Sequence, residues 1–298
     1  MANLRDRLKS RARSARKLVG KKRQKTKRPK SVPASPSTRR TTSHPPLREL
    51  CLVRAPAVPI HPTGMGHQIQ VATYNVHRWT GLNGRSEPDP ARACFVISEL
   101  PADVIALQEV LRPFKGDDPL ERLADVLGLH LAFAATRVHR HGELGNAILS
   151  RWPILSVSTL DLSHSRLERR VAVAARFDGE GGSLGVIATH LALVDRTRHR
   201  QVRELLEHPQ LLSGPAILLG DMNAWRRCKA TRALDDALKG HGDLEWPASF
   251  PAAAPVLALD RVYARGARIV ELRVHSTVAA RRASDHLPVL AQVELPAA

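Results

Sequence analysis

Asn75, Glu109, His190, Asp221, Asn223, Asp285 and His286 share one feature: each stands where an apolar run stops or is about to start. Asn75 closes QIQVATY, Glu109 follows DVIALQ, His190 follows SLGVIAT, Asp221 and Asn223 follow AILLG, and Asp285 and His286 precede LPVLAQV. Carboxylate and amide oxygens are ligands for hard cations, and imidazoles carry protons or donate to anions. A single acid after a strand is commonly a turn former or a helix cap. A series of acids, amides and imidazoles at strand ends is what a catalytic rim needs.

The elements that would carry these groups are legible as apolar runs separated by turn residues. Strands are expected at QIQVATYN, ADVIALQE, GNAILSR, RVAVAARF, SLGVIATHL, PAILLGD, LALDRVYA, ARIVELRVH and HLPVLAQVEL. Helices are expected at ARACFVISEL, PLERLADVLG, DRTRHRQVRELLEH and KATRALDDALKG. Several strands follow one another directly while helices cluster, so periodicity predicts mixed α/β layers rather than a strictly alternating parallel sheet.

Charge divides the chain. Residues 1–50 hold 17 Lys+Arg against Asp6 and Glu49, a net of +15, whereas residues 51–298 hold 29 against 26, a net of +3. We expect residues 1–66 to be a basic tail and Pro/Ser/Thr linker that buries too little apolar surface to order itself, and 67–298 to be one catalytic domain. Leu4, Leu8, Ala12, Ala15 and Leu18 fall at helical spacing. Residues 3–19 therefore read as a basic amphipathic helix, as a solvated arm, or as a mitochondrial transit peptide. The tail's expected partners are nucleic acid or an acidic membrane surface. Three widely spaced cysteines, no apolar stretch long enough to span a bilayer and no secretory leader predict a soluble cytoplasmic protein, which we also expect to be a monomer and to be brought by its tail to membrane or nucleoid.

Six segments, TYNVH at 73–77, LQEV at 107–110, ATHL at 188–191, LLGDMNAW at 218–225, LDRVYA at 259–264 and SDHLPV at 284–289, are similar in type and order to the endonuclease/exonuclease/phosphatase superfamily. They cover the chain from about residue 71 to 293, with GDMN and SDHLPV the most specific. The resemblance implies a DNase I-like α/β fold, a four-layer sandwich of two packed mixed sheets flanked by helices. It also implies metal-dependent phosphoester hydrolysis. Such chemistry needs a hard cation, a positioned water, and donors for charge on the phosphoryl oxygens.

By the same resemblance, Glu109 is the principal ligand of Mg²⁺ or Mn²⁺, Asp285 a second or water-mediated one, and Asn75 lies nearby. Asp221 orients or deprotonates the attacking water and Asn223 positions phosphate and nucleophile. His286 contacts the phosphate and Asp260 orients it; which residue is the general base stays open. His190 bonds a phosphoryl oxygen or assists the leaving group, and Arg170, or its neighbour Arg169, contacts phosphate. Where some members have an aspartate two residues beyond the first asparagine, this chain has His77, so the number of ions is open. Ser249 or Phe250 is expected to line the pocket.

Gly181, Ser183 and Gly185 satisfy the nucleophile-elbow pattern, but DGEGGSLG reads as a turn between strands, not a strand-to-helix elbow. His139 and His141 lack a metal-ligand spacing and read as a polar loop. Three functions follow: a phosphodiesterase with nuclease activity, a phospholipid-headgroup or small-ester phosphatase on the same fold, and a silent domain with a nucleic-acid- or membrane-binding tail.

Overall fold

The computed structural model describes residues 51–59, 64–165, 168–179 and 182–296. Most of the expected tail, including the helical reading of residues 3–19, lies outside the described residues. The described residues build two sheets. The larger has the order β1 (Cys51–Arg54), β4 (His130–His139), β5 (Gly142–Ser150), β3 (Val104–Pro113), β2 (Gln68–Asn75), β12 (Val289–Glu294), β11 (Arg268–Val274). The smaller runs β10 (Asp260–Arg265), β9 (Ala216–Asp221), β8 (Gly182–His190), β7 (Val171–Gly179), β6 (Ser156–Asp161). Among the described strands β2–β3 and β8–β9 pair parallel and the other neighbours antiparallel.

Strand alternation accounts for the layering. In β2, Val71 faces the core between the sheets while Ala72 and Tyr74 face outward; in β9, Ile217 and Leu219 face inward and Leu218 outward. The outward face of the larger sheet is covered by α1 (Pro90–Ser98) and α2 (Pro119–Val126). The smaller sheet is covered by α3 (Asp195–Leu206), α4 (Pro209–Leu212) and α5 (Lys229–Ala237). Both α1 and α2 start at Asp-Pro. The Asp89 and Asp118 carboxylates accept the backbone N–H of Ala91 and Leu120, and the proline fills the first helical position, where no N–H is needed. The result is the four-layer α/β sandwich.

Three strands escaped the sequence reading. β4 is an Ala-rich run without clear alternation, and β6 is a half-exposed edge strand, SVSTLD. β1 corrects the expected boundary at residue 67. Cys51–Arg54 pair antiparallel with β4, Arg54 bridges to Glu121 and Asp125 of α2, and Met65 is buried between the sheets. The ordered chain therefore reaches back into the stretch assigned to the linker. The segment around His139 and His141 is the turn of the β4–β5 hairpin. Ser183 lies in the β7–β8 hairpin, where its hydroxyl accepts from Arg176.

Register puts the chemistry on one rim. The parallel pairings set Asn75 beside Gln108 and His190 beside Asp221 at the strands' C-terminal ends. The antiparallel pairings bring Asp260 opposite Asp221 and Val289 opposite Thr73, so β10 and β12 begin where β9 and β2 end. The short helix α6 (Ala280–Ala283) delivers Ser284, Asp285 and His286 to the same edge.

Candidate active site

Asp221 is the hub. It is buried at the end of β9, and its Oδ2 accepts from Asn75 Nδ2 at 3.1 Å. The same oxygen lies 3.5 Å from His190 Nε2 and 3.7 Å from His286 Nε2. Its Oδ1 accepts the backbone N–H of Asn223 at 2.9 Å. Burial lifts the Asp221 carboxyl to about 6; Asp260 pushes the same way, while the His286 cation and the two amide hydrogen bonds pull against it.

The two imidazoles are driven apart. Burial draws His286 toward the neutral form, but the Asp260 and Asp221 carboxylates outweigh it and raise its pKa to about 10. His286 Nδ1 donates to Asp260 Oδ2 at 2.8 Å, and Ser249 Oγ donates to the same oxygen at 2.5 Å. The Phe250 ring packs 4.9 Å from the imidazole centroid. His190, by contrast, is held well below the ordinary range by burial, then by Arg170, His286 and Arg137. One carboxylate thus faces a protonated and a neutral imidazole, the separation of acid and base roles that proton transfer needs.

Glu109 and Asp285 sit on a second, wetter wall, with side chains 24% and 23% exposed. Each faces a base from one tight turn. His77 Nδ1 is 3.1 Å from Asp285 Oδ1 and Arg78 Nε is 3.3 Å from Glu109 Oε2. Residues 77–79 all have positive φ, and the turn is tied to the hub because Asn75 Oδ1 accepts the His77 N–H at 3.0 Å. Glu109 also adopts φ +53° at a bulge in β3, and Asn223 φ +50° after β9. For asparagine this is tolerable; for glutamate it costs on the order of 1–3 kcal/mol, held by the surrounding sheet and consistent with a functional position.

Arg170 Nε donates to Leu191 O at 3.3 Å and Nη2 to Glu168 Oε1 at 3.2 Å, and with His190 and Glu109 it lines a small cleft at the rim. Two buried arginines absent from the sequence reading hold the loop after β9. Arg198 Nη1 donates to Asn223 O at 2.7 Å and Arg261 Nη2 to Ala224 O at 3.2 Å.

Ligand atoms of Asp221, Asp260 and His286 lie within 4.8 Å of one another, close enough to hold a metal ion. Two of the three are already joined in a hydrogen bond, and a protonated imidazole has no lone pair to give. The donor set of Glu109 and Asp285 is all oxygen and partly open, the better fit to a hard cation.

With this geometry in view, the sequence profile of the Endonuclease/Exonuclease/phosphatase family matches residues 72–286. The chain belongs to this family. Its members are typically phosphoester hydrolases and generally depend on a divalent metal. The uncharacterized protein YbhP of Escherichia coli K12 is 30% identical over 249 residues, covering 76% of this chain and 96% of YbhP. A crystal structure of an endonuclease/exonuclease/phosphatase from Beutenbergia cavernae superposes with TM-score 0.63 at 25% identity, covering 77% of this chain and 72% of that one. TDP2 from D. rerio, complexed with single strand DNA product, superposes with TM-score 0.58 at 17% identity, covering 77% and 100%. That last likeness is one of fold.

Proposed function

We propose that this chain is a Mg²⁺- or Mn²⁺-dependent phosphodiesterase that accepts nucleic acid, with Asp221 activating water at the phosphorus. The observation that carries the reading is the hub itself. A single buried carboxylate is held by an amide and a backbone N–H and is faced by two imidazoles of opposite protonation. Asp221, ionised above about 6, accepts the water proton. Asn223, fixed by Arg198, places the water and phosphate. His286, kept protonated by Asp260, donates to a phosphoryl oxygen, and neutral His190 with Arg170 borders the leaving-group side. Glu109 and Asp285, with Asn75 alongside, would hold the cation, which when bound neutralises phosphate charge. The basic residues 1–50 are suited to recruiting a polyanion or an acidic membrane, and both locations are compatible with a monomer in the cytoplasm.

The test is hydrolysis with and without EDTA by wild type and Asp221→Ala, across single- and double-stranded DNA, RNA, phospholipids and small phosphate esters. Nucleic-acid cleavage by wild type that requires Mg²⁺ or Mn²⁺ and disappears in Asp221→Ala supports the reading. Turnover confined to lipids or small esters moves the substrate elsewhere on the same machinery. Full activity in Asp221→Ala overturns the assignment.

A further inference from the structure

Gly145 of β5 has a strand irregularity on both sides. Val110 of β3 and Ala135 of β4 are both opposite Gly145, and each strand slips register there, between Leu107 and Val110 and between Ala135 and Arg137. A Cβ at Gly145 would lie 2.1 Å from Ala134 O, so only glycine lets β4 approach so closely where it bulges. One bulge turns Glu109 to the rim; the other delivers Arg137. Glu109, Arg137, Asn146, Arg170 and His190 line the same cleft.

The cationic groups there differ in how they are compensated. Arg170 is paired with Glu168 and Glu109 is faced by Arg78, whereas Arg137 is exposed and has no hydrogen-bond or ion-pair partner among the described residues. Arg137 and Arg170 are also both close enough to His190 to disfavour its proton. An arginine in sequence register would be an ordinary surface charge. An arginine aimed by a bulge into a cleft beside Arg170 and His190, with no carboxylate paired to it among the described residues, is a free fork for an anion.

We propose that Arg137 is a substrate-binding residue that grips a second phosphate group of the substrate, beyond His190 as seen from Asp221. This rests on the phosphodiesterase reading and narrows it: the preferred diester carries a neighbouring phosphate, as a polynucleotide or a phosphorylated headgroup does.

The test uses the full chain and two substrate pairs that differ only by that phosphate: thymidylyl-thymidine with its 5′-phosphorylated form, and glycerophosphoinositol with glycerophosphoinositol 4-phosphate. In at least one pair the wild type should favour the phosphorylated member by about tenfold, through KM, the scale of one charge-assisted hydrogen bond. The pair that shows the preference identifies the source of the phosphate. Arg137→Ala should abolish the preference and Arg137→Lys retain part of it, with circular dichroism unchanged in both. Equal use of both members by the wild type, or a preference that survives in Arg137→Ala, overturns the proposal. If the wild type hydrolyses none of the four, the phosphodiesterase reading fails. Calorimetric titration of the same four compounds into wild type and Arg137→Ala then still decides whether Arg137 discriminates.

Discussion

At the scale of single residues, Asp221 meets every group on which proton transfer would depend, and its replacement gives the sharpest outcome. Asp221→Asn keeps the shape and loses the base, so kcat on a small diester should fall by about 10²–10⁴-fold with KM little changed. The Asp260–His286 pair gives a pH signature that needs no substrate. In metal-free protein His286 is raised to about 10 against an ordinary 6.5, so its ion pair stabilises the fold fully below 6.5. That contribution is lost as pH rises through about 10. The melting temperature measured in EDTA should therefore decline between pH 7 and 10 in wild type. Asp260→Asn should be less stable at pH 7, by about 3 kcal/mol, and show a shallower decline. For the cation, Glu109→Gln should weaken Mn²⁺ binding at least tenfold by calorimetry; undiminished affinity would shift the site toward Asp221, Asp260 and His286.

At the scale of elements, most residues readable from sequence stand at or just beyond the ends of strands, although Glu109, read as closing DVIALQ, sits at a bulge inside β3. Asn75, His190, Asp221 and Asp260 stand at the last or first position of apolar runs; register brings the last three together in the smaller sheet, and the packing of the two sheets sets Asn75 against Asp221. Arg78 and Arg137 were hidden because each acts through an irregularity, Arg198 because its helix reads as solvated. Arg78 sits in a left-handed turn and Arg137 at a bulge, and neither leaves a periodic trace. Arg198 lies in α3, whose DRTRHRQVRELL reads as a solvated face, yet its guanidinium is buried and caps the carbonyls of Ala192, Leu193 and Asn223. That helix therefore does more than cover the smaller sheet; it fixes the loops after β8 and β9. Arg198→Ala leaves those carbonyls unpaired, which should cost about 2–4 kcal/mol in urea unfolding. Arg198→Lys should recover much of the stability but less of kcat, because Nη1 holds the three carbonyls while Nη2 of the same planar fork holds Asp195, and one ammonium cannot serve both ends. Equal recovery of both would make Arg198 a purely structural residue.

At the scale of the whole chain, charge and catalytic groups occupy different stretches. Residues 1–50 carry a net +15, and residues 51–298, which hold every site residue, carry +3. Binding to a polyanion should then separate from turnover, provided the cut respects the fold. No described helix is long and apolar enough to cross a membrane. Removing residues 1–45 leaves β1 and its Arg54 bridges intact. The truncated chain should bind single-stranded DNA more weakly, with a flatter dependence of log affinity on log salt, while hydrolysing a small soluble diester as the full chain does. A cut at residue 60 removes β1 as well, uncovering the edge of β4 and freeing Glu121 and Asp125 of α2 from Arg54. That variant should lose stability along with affinity, because an unpaired edge strand and an Asp125 without its arginine replace a covered edge, while Glu121 keeps Arg112. If the shorter truncation keeps the full salt slope, the affinity for polyanions resides on the sandwich itself, and the basic rim around Arg137 and Arg170 becomes the surface that confers it.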